Sequence, residues 1–270
     1  MANRIADLRA RLHDYGSVLV CFSGGVDSAL VLAVAVEQLG DRAAALTAVS
    51  PSLLDEERAL AETVGRRLGA RHFFESSAEV DDPRYAENSV NRCYFCKSEL
   101  YAIAARVAKA NDFKVIANGT NQDDLGDHRP GLEAAKEAAV RSPMVELAMS
   151  KQDVRDTAQA IGLELWDKPA SACLSSRIPY GTAVTRERLN KIGSAERAIR
   201  QLGFRQLRVR FHDAVARIEI AEAELSRAFE MRRELSAAVR AAGFQYVTLD
   251  LDGYRQGSHN ELLRLPVLQS

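Results

Sequence analysis

The residues of this chain best suited to chemistry are three of its four cysteines and one glycine-rich hexapeptide. Cys93 and Cys96 stand three apart in "NRCYFCKSE". That spacing serves a redox pair, half of a zinc site, or two of three thiolate ligands to an iron–sulfur cluster. A three-cysteine zinc site needs a fourth ligand, and no His lies near either cysteine motif. Redox C-x-x-C pairs usually open a helix after a strand in a thioredoxin-like setting. Cys173 lies in a polar loop, "KPASACLSSR", with Lys168 and Arg177 close in sequence. Cationic neighbours and partial exposure depress a thiol pKa and make it reactive; a chance loop cysteine is the plain alternative. Cys21, between Val20 and Phe22, reads as a buried and inert thiol.

The hexapeptide "SGGVDS" comprises Ser23, Gly24, Gly25, Val26, Asp27 and Ser28. Two glycines allow a tight turn whose N–H groups converge on an anion, and a helix N-terminus behind it adds its positive dipole end. Ser23 and Ser28 can donate hydroxyl hydrogen bonds, and Asp27 can help hold a Mg²⁺ that bridges phosphate oxygens. The lysine of the Walker A loop is missing, so this is a different phosphate loop. A bare Gly-Gly turn joining strand to helix is the plain alternative. Near the C-terminus, Arg208 and Arg210 in "LRVRFH" are two apart on a strand and share a face. Two guanidinium forks side by side suit a phosphate, with Glu219, Asp250 and Asp252 available to partner them. A solvated sheet face is the alternative for the acids.

The elements that must position these groups follow from apolar patterning. "SVLVCFS", "AAALTAVS", "RHFFESS" and "FKVIANGT" read as strands, the first two as continuous apolar runs, with helices between them ending at Gly40, Leu68 and Ala110, the last of these beginning at Lys97. This alternation predicts an α/β fold, a doubly wound parallel sheet with right-handed crossovers. Ser150 is placed to cap a helix, with Asp153 completing a capping box. Beyond the irregular segment Asp167–Thr182 the pattern reads helix 186–202, two strands, helix 222–242 and a last strand. That predicts a smaller C-terminal α+β domain with an antiparallel sheet, and the domains are 1–180 and 181–270. Trp166, at the junction, reads as a packing residue.

Composition narrows the class. Apolar residues are 47% and charged residues 27% of 270, as expected of a globular enzyme. Net charge is −1 with Lys and Arg dispersed, which argues against a nucleic-acid partner. No run approaches the roughly 20 apolar residues that span a bilayer, and the N-terminus lacks a signal peptide's apolar core. A cytoplasmic location is expected, where thiols stay reduced and the four cysteines are not a disulfide framework.

"SGGVDS" after a buried first strand resembles the pyrophosphate loop (PP-loop) of the ATP pyrophosphatase superfamily, which includes GMP and NAD synthetases and tRNA thiolases. The resemblance implies that the loop holds the β,γ-phosphates while ATP is cleaved between α and β, leaving a substrate adenylylated. "NGTNQDD", with Asp123 and Asp124, resembles the acidic segment that completes the nucleotide site; a solvated loop is the alternative. Over nearly the whole chain, "SGGVDS", "RCYFCK", "PASACLSSRIPYG" and "LRVRFH…ARIEI" together resemble the ATP-dependent sacrificial sulfur transferases, the LarE family. That resemblance implies adenylylation of a carboxylate on a pyridinium mononucleotide and displacement of AMP by a protein thiolate, in nickel-pincer nucleotide cofactor biosynthesis. It also implies a substrate-phosphate role for Arg208 and Arg210, and a homo-oligomer. In single-cysteine members the thiolate at the Cys173 position gives up its own sulfur and becomes dehydroalanine.

Cys93 and Cys96 depart from those members and resemble the three-cysteine type. Three thiolates from Cys93, Cys96 and Cys173 can hold a [4Fe–4S] cluster with one iron left to carry a transferable sulfide. The expected cofactors are therefore ATP, Mg²⁺ and a [4Fe–4S] cluster, with an external sulfur donor to replenish the sulfide. Sacrifice of Cys173 is the main rival. tRNA thiolation and a non-catalytic iron–sulfur carrier are the remaining alternatives.

Overall fold

The computed structural model describes residues 2–126, 130–167 and 172–255. The chain divides into two compact units, Met1–Tyr85 with Val90–Ser171, and Ala86–Ser89 with Ala172–Ser270. The segment carrying Cys173 falls in the second unit, whereas a boundary near residue 180 assigns it to the first.

In the first unit α1 (Ala2–Asp14) precedes β1 (Val18–Cys21), which is buried at all its positions. There follow α2 (Val26–Leu39), β2 (Ala43–Val49), α3 (Asp55–Arg67), β3 (Arg71–Ser76) and the short α4 (Pro83–Ala86). Then come α5 (Arg92–Ala110), β4 (Val115–Ala117), α6 (Pro130–Glu137), α7 (Pro143–Glu146) and α8 (Lys151–Ala160). The strands pair in the order β3-β2-β1-β4, all parallel. Strands buried on both faces need helices on both faces, and the two core clusters show them. One face packs Val18, Val20 and Ala45 against α1, α2, α3 and α8. The other packs Leu19, Cys21, Ala44 and Leu46 against α5 and α6. On the first of these faces Leu8, Leu30 and Leu32 are fully buried, each contributing about 1.5–3 kcal/mol.

The chain moves outward from β1 to β2 and β3, then returns to β1's other side with β4. Such a reversal opens a crevice at the carboxyl ends of the two strands, where ligands bind in open α/β sheets. The hexapeptide follows β1 at that point. The capping box of α8 is formed: Ser150 accepts from the Asp153 backbone N–H, and the Asp153 carboxylate accepts from Ser150.

The second unit holds α9 (Arg186–Gln201), β5 (Leu207–His212), β6 (Val215–Ile220), α10 (Leu225–Glu230), α11 (Arg232–Ala241) and β7 (Tyr246–Leu249). β5 and β6 are antiparallel, but β6 and β7 are parallel, so the expectation of a purely antiparallel sheet is corrected. The helices between β6 and β7 form a crossover, which brings the chain back to the end from which β6 started. The single helix expected over 222–242 is broken at Met231, between α10 and α11. Helix α5 also differs from expectation. It starts at Arg92 rather than Lys97, so Cys93 and Cys96 lie in its first turns. Asn91 stands before it without a side-chain capping bond, which leaves the start unmarked.

Candidate active site

The loop after β1 is organised around one hydroxyl. Ser28 Oγ donates to the Gly25 carbonyl at 3.1 Å and accepts from the Ser23 N–H at 3.2 Å. Ser23 Oγ lies 3.1 Å from the same oxygen. Gly24 has φ +73°, and a Cβ there would stand 3.2 Å from the Ala61 Cβ, so both conformation and space require glycine. No side chain caps α2, whose N-cap is Gly25, so its dipole end faces the loop without a protein acceptor in the capping position. Gly119, just after β4, approaches still closer. A Cβ at this position would lie 2.6 Å from the Ser28 backbone nitrogen.

Asp27, on the first turn of α2, is held by two groups from the facing loops. Lys151 Nζ lies 2.6 Å from Asp27 Oδ1, and Asn121 Nδ2 donates to the same oxygen at 3.2 Å. Lys151 is the first residue of α8, and its backbone N–H donates to Asp123 at 2.9 Å. Asp124 accepts from the Asn121 N–H at 3.1 Å, and Asn121 accepts from the Asp123 N–H at 3.0 Å. Asp123 and Asp124 therefore shape the turn that delivers Asn121 and Lys151 to Asp27. A lysine from a different element thus stands beside the hexapeptide, paired with Asp27.

On α5, Cys93 is exposed and Cys96 half-buried, three apart along one side of the helix. Lys97 follows directly. Crowding by protein disfavours its ammonium, but Tyr101, Cys96, Cys21 and Cys93 lie within electrostatic range and hold its pKa above the ordinary lysine value. Cys21, at the end of β1, is buried, and burial pushes its thiol up to about 12 against the pull of Lys97. None of the four cysteines forms a disulfide. Among the described residues no three His, Cys, Asp or Glu side chains are gathered as a metal site.

Within the second unit, Cys173 is exposed at the start of a single helical turn, Leu174–Arg177. Arg177 fixes this turn from beneath. Its Nη1 donates to the carbonyls of Ala172 at 2.8 Å and Cys173 at 3.2 Å, while Nε and Nη2 grip Glu196 at 2.8 and 3.2 Å. Burial works against the Glu196 carboxylate, but Arg177 outweighs it and holds the pKa below the usual carboxylate value. Arg210 makes a second buried fork with Glu219, at 2.9 and 3.1 Å, and donates to the Ser176 carbonyl at 2.8 Å. Arg208 is buried yet forms no ion pair among the described residues. It bonds the Arg255 carbonyl at 3.4 Å and stacks over the Tyr254 ring at 4.5 Å. Burial lowers its pKa, Tyr254 opposes this, and the neighbouring Arg177 and Arg210 lower it further against Glu219. A buried guanidinium without a carboxylate partner among the described residues favours an anion.

Residues 6–119 match the asparagine synthase family model. Over 97% of this chain and 99% of its own length, an uncharacterized protein of Synechocystis sp. is 44% identical. The pyridinium-3,5-bisthiocarboxylic acid mononucleotide synthase of Lactiplantibacillus plantarum is 38% identical over 264 residues, 97% of this chain and 96% of that protein. The chain belongs to the LarE family of ATP-dependent sulfur transferases. As a LarE-family enzyme it uses ATP with Mg²⁺ and converts ATP to AMP and pyrophosphate. A more distant relative is a component of the glutamine-hydrolyzing GMP synthase of Archaeoglobus fulgidus, 24% identical over 60% of this chain and 55% of that protein.

Against the LarE-family expectation, the structure brings Ser23–Ser28, Asp123 and Asp124 to one end of the first sheet, and Cys173, Arg208 and Arg210 together in the second unit. Lys168 lies outside the described residues. Trp166, read as a packing residue, is 39% exposed. Sequence reasoning missed Lys151, Lys97 and Glu196, and took Gly119 only as part of the 118–124 segment. Of the three, only Lys151 left a signal, a lysine directly after a strong cap. Among the described residues no helix is long and apolar enough to cross a membrane.

Proposed function

We propose that this enzyme adenylylates the carboxylates of a pyridinium-biscarboxylate mononucleotide and converts them to thiocarboxylates, for nickel-pincer nucleotide cofactor biosynthesis. The carboxylate attacks the α-phosphorus of ATP and pyrophosphate leaves. Sulfur then adds to the acyl carbon and AMP departs with the acyl–oxygen bond pair. The glycine loop Ser23–Ser28 and the N-terminus of α2 bind the β,γ-phosphates. Asp27 would hold Mg²⁺, which would neutralise phosphate charge, and Lys151, beside Asp27, would add a second cation at that end of the sheet. The observation that carries the substrate assignment is Arg208, buried and without a carboxylate partner among the described residues, beside the turn that presents Cys173. Arg208 and Arg210 receive the mononucleotide phosphate, with Glu219 aligning Arg210.

Cys93, Cys96 and Cys173 hold a [4Fe–4S] cluster in this reading. Their fit rests on donor chemistry: three soft thiols, two of them one helical turn apart with Lys97 beside that pair to offset negative charge. The cluster, when bound, supplies an open iron position for an exchangeable sulfide. A second reading is favoured by the exposure of Cys173: Cys173 itself yields its sulfur and becomes dehydroalanine. Iron analysis and intact mass after anaerobic turnover separate them. About four irons with unchanged mass supports the cluster. Mass lowered by one H₂S supports sacrifice. The near-neutral charge supports a small-molecule substrate rather than tRNA, and reduced cysteines suit a cytoplasmic enzyme. We further propose a homo-oligomer replenished by a sulfur donor.

A further inference from the structure

Beneath the phosphate loop lies a buried polar pair that none of these roles uses. Thr47 is the polar residue in the apolar run of β2 and is 4% exposed. Its Oγ1 donates to the Phe22 carbonyl at 2.7 Å and meets His72 Nε2 at 2.8 Å. A hydroxyl has one proton; with that proton on Phe22, Thr47 accepts from His72, which fixes the Nε2–H tautomer of the ring. Nδ1 is left as a lone-pair nitrogen, buried and without a hydrogen-bond partner. It faces α3, where a Cβ at Gly65 would stand 2.7 Å from it. The imidazole is tilted against Phe74 at 4.0 Å and meets Phe22 edge-on at 5.5 Å, so its orientation is set by packing as well.

The Phe22 carbonyl shares a planar peptide unit with the Ser23 N–H. That N–H donates to Ser28 Oγ, the hydroxyl around which the loop is organised. Holding the carbonyl therefore holds the direction of the first loop amide. We propose that Thr47 and His72 are positioning residues for ATP, a neutral relay from β3 through β2 that fixes the Phe22–Ser23 peptide and so pre-forms the phosphate loop. The proposal deepens, and rests on, the reading that Ser23–Ser28 binds the ATP phosphates.

The test is steady-state AMP formation with Thr47→Val, Thr47→Ser and His72→Phe, beside Gly24→Ala as a control for the loop itself. Thr47→Val keeps the shape and removes the hydroxyl. It should raise KM for ATP about tenfold, the effect of one buried hydrogen bond, and leave KM for the mononucleotide within about twofold. Thr47→Ser should restore most of the loss. His72→Phe keeps the ring packing and should raise KM for ATP by a smaller factor; it decides the matter if Thr47→Val does not fold. Parental KM for ATP in whichever of these variants fold, with or without a lower melting temperature, overturns the relay. If Gly24→Ala also binds ATP normally, the failure lies with the loop reading instead.

Discussion

Burial pushes the Cys21 thiol up to about 12, while Cys93 and Cys173 are exposed. Brief alkylation of the folded, iron-free protein at neutral pH, followed by peptide mass analysis, should therefore modify Cys93 and Cys173 and leave Cys21 unlabelled. Lys151 carries the next expectation. Lys151→Ala removes the cation beside Asp27 and should lower kcat/KM for ATP by about 10²-fold or more, read from pyrophosphate release. His72 gives a pH dependence. Burial lowers its pKa from 6.5 to about 4, so between those values the unfolded chain binds a proton that the folded chain does not. Its contribution is fully present above pH 6.5 and is lost as the pH falls towards 4. Urea unfolding at about pH 7 and about pH 5 should show a larger loss for the parent than for His72→Phe. Chemistry at this scale was legible where type and spacing coincide, as in "SGGVDS". It was hidden where a partner comes from a distant element, as Lys151 does for Asp27.

Two positions set elements against each other. Gly119 lets the loop after β4 touch the backbone of α2, and Gly119→Ala puts a carbon 2.6 Å from the Ser28 nitrogen. The phosphate loop must shift, so the melting-temperature rise given by MgATP should be lost in this variant. Glu196 ties α9 to the Cys173 turn through Arg177 and also accepts from the Val209 N–H. Glu196→Ala leaves Arg177 buried and uncompensated, at a cost of about 3–5 kcal/mol in chemical denaturation. β1 and β2 were legible because burial on both faces writes a continuous apolar run. The parallel β7 was misread although the same helical crossover rule applies to it. The start of α5 was obscured because Asn91 makes no side-chain cap, which hid that Cys93 and Cys96 are helical.

For the whole molecule, the sequence order of the elements separates two tasks. The first unit carries a phosphate loop at the reversal of a parallel sheet, a placement that suits nucleotide chemistry. The second carries an exposed thiol on a turn fixed by two buried arginine–glutamate forks, beside a guanidinium without a carboxylate among the described residues. Glu219 was among the acids expected to partner these arginines, and it takes Arg210; that Arg210 also donates to the Ser176 carbonyl could not be read from spacing, because alternate residues on a strand reveal a shared face but not what lies against it. The central claim is that ATP activates an acid which then takes sulfur held by cysteines of this chain. The most direct measurement is anaerobic incubation with MgATP and the pyridinium-biscarboxylate mononucleotide, with AMP and thiocarboxylate quantified together by chromatography and mass spectrometry. The account predicts AMP and thiocarboxylate in step for the parent, and no thiocarboxylate with Cys173→Ser. Release of ADP, or parental thiocarboxylate yield from Cys173→Ser, would contradict it.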